Sequence, residues 1–190
     1  MIILASQSPR RAALLQQMGV DFRSEPARID ERARADERAA DYVERIAIAK
    51  AESVHARFPK LPALGSDTAV VLNQTILGKP DGRDDAIRML LSLSRRPHEV
   101  LTGVALSAKG STEYRLSISR VIFRDISKRE AVAYWDTGEP ADKAGGYAVQ
   151  GLGAAFIERI EGSYSGIMGL PLFETMRLLG GIGVQGSLRV

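Results

Sequence analysis

The chain contains no cysteine. Disulfides and thiolate metal sites are therefore excluded, and a reducing compartment fits without being demanded. It has two histidines, His55 and His98, too few for a multi-histidine metal centre. Any metal would be a hard cation held by carboxylates and by oxygens of a ligand. Aromatic residues make up only 6% of the chain, and 26 basic residues are nearly balanced by 23 acidic ones, a net charge of +3. That composition provides neither the stacking platform nor the basic stripe of a nucleic-acid binder, so no nucleic-acid partner is expected. The mild excess favours small anionic ligands. No apolar run approaches the roughly 20 residues of a membrane span. The opening apolar run is too short for a signal peptide, and its arginines follow rather than precede it. What remains is an ordinary globular composition of 190 residues, 45% hydrophobic and 26% charged, enough for one domain or two closely packed lobes, and a cytoplasmic location is expected.

Strand-like and helix-like segments alternate. Met1 to Ala5 reads as a buried strand, and Ala12, Leu14, Leu15 and Met18 then recur at helical spacing. Asp21 to Asp30 reads as an extended connection and Glu37 to Arg57 as a long helix. Leu61 to Leu72 is a strand that turns at Asn73-Gln74 into a short strand, Thr75 to Leu77, before a helix over Arg83 to Leu91. Glu99 to Ser107 and Thr112 to Phe123 alternate apolar and polar residues across Lys109-Gly110, the pattern of a hairpin. Ser127 and Glu130 form a capping box for a helix reaching about Trp135. A glycine-rich stretch, Gly145 to Gly153, precedes a strand from Ala154 to Ile160. Pro171 opens a last helix to Leu179, and four glycines in residues 180–186 predict a tail mobile at its end. The mixture of βα units and hairpins predicts an α/β fold with a mixed sheet.

Chemistry enters at the first turn. Ser6-Gln7-Ser8-Pro9-Arg10-Arg11 follows the opening strand directly. Pro9 suits the first helical turn and Ser8 its N-cap. The free N–H groups of that turn and the forked donors of Arg10 and Arg11 together make an anion site. An ordinary capped helix with solvated arginines would have the same letters. On the long helix, Lys50 falls within about 20° of Val43 on the apolar stripe, where a charge needs a partner, a cleft or a route out to solvent. Asp67, inside Gly65-Ser66-Asp67-Thr68, interrupts a strongly apolar strand. A carboxylate flanked by hydroxyls, beside a glycine that lets a ligand approach, suits a metal or general-base site, or else caps a bulge. Asp30-Glu31 is an acidic pair, solvated unless something gathers it. Gly78-Lys79-Pro80 aims a lysine from a stiff turn. Asp142 to Gly151 reads as a loop whose glycines let backbone approach a ligand, but it matches neither the Walker pattern nor the dinucleotide fingerprint. Trp135 and the histidines read as structural.

These motifs share one wording. Ile3 to Arg11, Asp30-Glu31, Ala49-Lys50-Ala51, Gly65 to Thr68, Ile76 to Pro80, His98 to Val104, Asp142 to Gly153, Gly162-Ser163-Tyr164 and Gly169 to Leu172 resemble the Maf family of nucleoside triphosphate pyrophosphatases, in order and at family spacing. The resemblance runs from residue 1 to about residue 179. It implies an elongated α/β fold similar to inosine triphosphate pyrophosphatases, with two lobes around a central cleft, and a homodimer. It implies hydrolysis of a nucleoside triphosphate to monophosphate and pyrophosphate, with Mg²⁺ or Mn²⁺. Asp67 matches the family's catalytic carboxylate and, with Glu31, the metal side of the site. Ser8, Arg11, Lys50 and Lys79 match the phosphate side. One subgroup prefers 7-methyl-GTP and carries a Trp before its arginine pair. This chain has none there, and Gly145 to Gly151 is similar to the subgroup acting on dTTP and UTP. In that subgroup Arg10, Thr68 and Gln150 match positions linked to base choice. A Gln amide can accept from pyrimidine N3–H and donate to O4, and a C5 substituent would not touch that edge, so modified pyrimidine nucleotides fit too. The resemblance also leaves open a regulator of septum formation that binds nucleotide and hydrolyses it only incidentally. The joint presence of Glu31, Lys50, Asp67 and Lys79 favours the enzyme, because a sensor does not need the complete acidic and basic set.

Overall fold

The computed structural model describes residues 1–187. The chain runs β1 (Ile2–Leu4), α1 (Pro9–Gln17), β2 (Phe22–Ser24), α2 (Ala39–Arg57), β3 (Ala63–Leu72), β4 (Thr75–Leu77) and α3 (Arg83–Leu93). It continues with β5 (Pro97–Ala108), β6 (Ser111–Phe123), α4 (Lys128–Asp136), three short 3₁₀ turns between Glu139 and Phe156, β7 (Ile157–Glu161), α5 (Tyr164–Met168) and α6 (Leu172–Gly181). Seven strands form one mixed sheet in the order β2-β1-β3-β5-β6-β7, with β4 beside β3. Only the β1 pairings, to β2 and to β3, are parallel. This is the expected α/β mixed sheet.

The β3–β4 and β5–β6 hairpins obey their turn chemistry. Asn73-Gln74 and Lys109-Gly110 both place two successive residues at positive φ, the backbone that joins twisted antiparallel strands. The capping box at the start of α4 forms in full, with the Ser127 side chain on the Glu130 N–H and the Glu130 side chain on the Ser127 N–H.

Along β3 the side chains alternate. Ala63, Gly65, Asp67, Ala69 and Val71 face α2, while Leu64, Ser66, Thr68, Val70 and Leu72 face the other layer. On that second face lie two larger apolar clusters. One gathers Ile2, Leu14, Leu15, Leu64, Leu106 and Leu178, and the other Val70, Leu90, Val121, Phe123, Tyr134 and Phe156. Each fully buried Leu or Phe contributes about 1.5–3 kcal/mol of transfer free energy. The opposite face is lined by small residues of α2, including Ala47 and Ala51, which bring the helix close to the sheet.

Several local expectations change. The connection over 21–30 contains β2, an edge strand too short and too polar to show as a pattern; β1 pairing makes it. The strand expected from Ala154 begins at Ile157, because residues 152–156 first close a 3₁₀ turn. α5 spans five residues, below the length at which helical periodicity shows. Ser8 occupies the N-cap of α1, but its side chain caps nothing; its N–H donates to Ser6 Oγ instead, at 3.1 Å. Gly65 makes room for α2 rather than for a ligand: a Cβ there would lie 2.3 Å from the Ala47 carbonyl oxygen and 2.6 Å from the Ala51 nitrogen. Beyond α6, Ile182 and Val184 pack on the first cluster, and the Ser187 N–H donates to the Met18 carbonyl at 2.7 Å. The remainder of the expected tail, 188–190, lies outside the described residues.

Candidate active site

β3 is covered unevenly on its β1 side. β1 pairs with Ala63 and Leu64, and β4 with Val70, Val71 and Leu72. Among the described residues no strand covers Gly65 to Ala69 on that edge. Asp67 and Thr68 point to opposite faces of the sheet, yet both reach the gap. The turn from β1 into α1 borders the same gap, because the Ala5 N–H donates to the Leu64 carbonyl at 2.8 Å and the chain then leaves the sheet.

Two adjoining cavities open there. The first is lined by Thr68, Asp67, Gln150 and the apolar surfaces of Val70, Val100 and Met168. The second is lined by Ser6, Glu31 and Lys50. Ser8, Arg10, Arg11, Lys79 and Asp142 belong to both. Every residue the sequence assigned to catalysis, substrate or metal therefore lines one cavity or both, although they come from segments as far apart as residues 8 and 150; Asp30, the other half of the acidic pair, lines neither and pairs with Arg32 at 2.7 Å.

The charges are organised around Lys50. Its Nζ donates to Asp67 Oδ1 at 2.8 Å and to Glu31 Oε2 at 2.7 Å. The Lys50 and Asp67 side chains are 7% and 9% exposed, so each needs the other, whereas Glu31 is half open to water. The segment carrying Glu31 has no regular structure and is tied to α2 by side chains. Tyr42 Oη donates to the Glu31 carbonyl at 3.1 Å. Arg45 donates to the Arg32 carbonyl at 3.2 Å and clamps Glu37 through two bonds of 2.6 Å, holding the Glu37 carboxyl down at about 2. Burial, together with Asp67 and Glu31, pushes the Tyr42 phenol up to about 12, so it remains a donor.

Arg11 is fixed from three sides: Nε donates to the Gly169 carbonyl at 2.7 Å, Nη1 to Ser6 Oγ at 3.3 Å and Nη2 to Thr68 Oγ1 at 3.4 Å. Loss of water lowers its pKa and Arg10 adds to that, while Asp67 and Glu31 oppose it. A guanidinium stays charged through such shifts. Arg10 lies 3.8 Å from Asp142, which also pairs with Lys143. Lys79 projects from a turn held to the glycine-rich loop by the Gly145 N–H, which donates to the Gly78 carbonyl at 3.0 Å.

The glycine-rich loop is shaped by its own anchor. Glu139 accepts from Tyr134 Oη at 2.6 Å and from the Leu152 and Gly153 N–H groups at 3.0 Å each. Burial alone would raise this carboxyl, but the three bonds outweigh it and hold it low. Its glycines serve that packing: a Cβ at Gly151 would strike the Glu139 carboxylate, and Gly145 sits at φ +70 against Val70. Sequence reasoning assigned no role to Ser6, Thr102, Asp142, Tyr147 or Gly169. Thr102 carried a signal, a hydroxyl inside an otherwise apolar strand. The Gly169 carbonyl, which receives Arg11 and Ser66, carried none, because a backbone acceptor has no letter.

The donor set fits a hard divalent cation. Glu31 and Asp67 already share one cation, the Lys50 ammonium, and offer only oxygen. Among the described residues no cluster of three or more His, Cys, Asp or Glu could hold a metal unaided, so further oxygens would have to come from a ligand and water.

Comparison with known proteins agrees with this chemistry. A family model described as Maf-like protein matches residues 1–182. Curated relatives include the dTTP/UTP pyrophosphatase of Methylobacillus flagellatus, 53% identical over 96% of this chain and 93% of the relative. That of Hahella chejuensis is 51% identical over 97% and 93%, and that of Saccharophagus degradans 48% over 94% and 87%. No helix among the described residues is long and apolar enough to cross a membrane.

Proposed function

The chain belongs to the Maf family, and on that premise we propose that it hydrolyses dTTP and UTP, and modified pyrimidine nucleotides of the same edge, to the monophosphate and pyrophosphate. The observation that carries this reading is the convergence of Arg10, Arg11, Lys79 and Ser8 where the first cavity, with its apolar wall of Val70, Val100 and Met168, meets the second, which holds Glu31 and Lys50.

The base occupies the first cavity, against Val70, Val100 and Met168, with Thr68 and Gln150 at its polar edge. The triphosphate crosses Ser8, Arg10, Arg11 and Lys79 toward Lys50. No side chain caps the first turn of α1, so its N–H groups are available to the phosphates. These cations offset the charge that repels a nucleophile and stabilise the charge developing on the leaving pyrophosphate. Asp67, fixed by Lys50, orients a water for in-line attack on the α-phosphorus and takes its proton. A new P–O bond forms to that water as the bond to the β-phosphate bridging oxygen breaks. Glu31 and Asp67, together with oxygens of the bound triphosphate, would hold Mg²⁺ or Mn²⁺, which would supply further charge neutralisation. The reading takes the chain as one domain with a lobe on each side of this cleft, working as a cytoplasmic homodimer without nucleic acid.

The test is pyrophosphate and monophosphate release from a panel of nucleoside triphosphates, 7-methyl-GTP included, with Mg²⁺ or Mn²⁺. The expected outcome is turnover of dTTP and UTP that falls at least about 100-fold in Asp67→Asn. Near-normal turnover in that variant would remove Asp67 from its role; activity confined to 7-methyl-GTP would overturn the base assignment.

A further inference from the structure

The polar edge of the first cavity has one flexible group and one fixed group. Gln150 is exposed, and an amide is ambidextrous. Turned one way it accepts from N3–H and donates to O4, the edge of uracil or thymine. Turned over, it donates to N3 and accepts from the exocyclic amine, the edge of cytosine. Gln150 alone cannot tell the two apart.

Thr68 is held differently. It lies directly across the ladder from Thr102 of β5, and Thr102 is fully buried. Thr102 Oγ1 is 2.8 Å from the Gly166 carbonyl oxygen and 3.0 Å from Thr68 Oγ1. A hydroxyl has a single proton, and a carbonyl can only accept. The Thr102 proton therefore goes to Gly166, and the contact between the hydroxyls is satisfied by the Thr68 proton. On its other side Thr68 Oγ1 accepts from Arg11 Nη2. With its proton turned inward, Thr68 shows the cavity a lone pair and no donor.

We propose that Thr102 is a positioning residue that locks Thr68 as an acceptor, and that this lock makes the site choose a pyrimidine with a donor at N3 over one with an acceptor there. The proposal rests on the pyrimidine reading above. Thr68 receives N3–H of uracil or thymine, and Gln150 is then left to satisfy the carbonyl beside it. Cytosine would set its N3 lone pair against that of Thr68, an unpaired contact that a buried site rejects strongly.

The experiment compares kcat/KM for UTP and CTP in the wild type and in Thr102→Val, Thr102→Cys and Thr102→Ser. Valine keeps the shape and removes the acceptor, which frees the Thr68 proton. The Gly166 carbonyl keeps the Gly169 N–H at 2.9 Å, so the loss inside the fold is contained. Cysteine, a weak acceptor, is the reading to use should valine fail to fold. The expected result is a UTP-to-CTP ratio that falls at least about tenfold in the valine and cysteine variants, through a gain on CTP, and is retained in the serine variant. An unchanged ratio, or an equal loss on both nucleotides, would overturn the lock and leave Thr102 a packing residue. A wild type that releases pyrophosphate from neither UTP nor dTTP would instead bring down the pyrimidine reading itself.

Discussion

Gly65 stands beside Asp67, but its lack of a side chain serves α2. The helix backbone passes so near that a methyl group would overlap the Ala47 carbonyl. That close approach is what lets the Lys50 ammonium reach Asp67 from the same helix, so packing and chemistry meet at one position. Gly65→Ala should cost about 3 kcal/mol or more, because the nearest obstacles, the Ala47 carbonyl oxygen and the Ala51 nitrogen, are backbone atoms that cannot rotate away. Urea unfolding of the variant would measure it. A loss under 1 kcal/mol would mean that α2 can shift off the sheet freely, and the fixed Lys50–Asp67 distance would lose its explanation.

At the scale of elements, the glycine-rich loop depends on a single carboxylate. Glu139 gathers one phenol and two backbone N–H groups, and Tyr134 Oη in turn accepts from the Ala148 N–H at 3.1 Å. Removing Glu139 strips partners from both ends of the segment that carries Gln150. Glu139→Ala should raise KM for the nucleotide about tenfold, the equivalent of one hydrogen bond, with a smaller effect on kcat. Amide exchange over residues 148–153 should speed up in parallel. Unchanged exchange there would show that the loop holds its shape without the anchor.

Across the whole molecule, the second apolar cluster has His98 at its edge. The ring is 2% exposed, meets Phe123 and Tyr147 edge-on, and bonds Tyr147 Oη through Nε2 at 2.8 Å. Burial pushes its pKa down from the usual 6.5 to about 4, against a smaller opposing effect of the Arg96 backbone. Between those values the unfolded chain binds a proton that the folded chain refuses, so stability falls as pH drops from about 6.5 to 4. The loss amounts to about 3 kcal/mol at the lower end. Unfolding midpoints at pH 7 and pH 4.5 should differ less in His98→Gln than in the wild type. An identical pH slope in both would place the acid sensitivity in other groups.

The sequence by itself determined the elements with strong local codes. The positions of two hairpin turns follow from Asn73-Gln74 and Lys109-Gly110, the start of α4 from Ser127 and Glu130, and the inward position of Lys50 from helical spacing. Residue types also announced most of the site, because a lysine on an apolar stripe and an aspartate in an apolar strand are costly without partners. Only the tertiary structure decided what those residues do together. β2 exists through pairing, α5 is too short for a period, and the Gly169 carbonyl that fixes Arg11 has no side chain to read. The gap at Gly65 to Ala69 arises where β1 ends and β4 has not begun, and the proton order from Thr68 through Thr102 to Gly166 needs three segments in contact. Local codes act over a few residues along the chain; gaps, shared protons and close backbone approach depend on distances between segments, which the chain acquires only on folding.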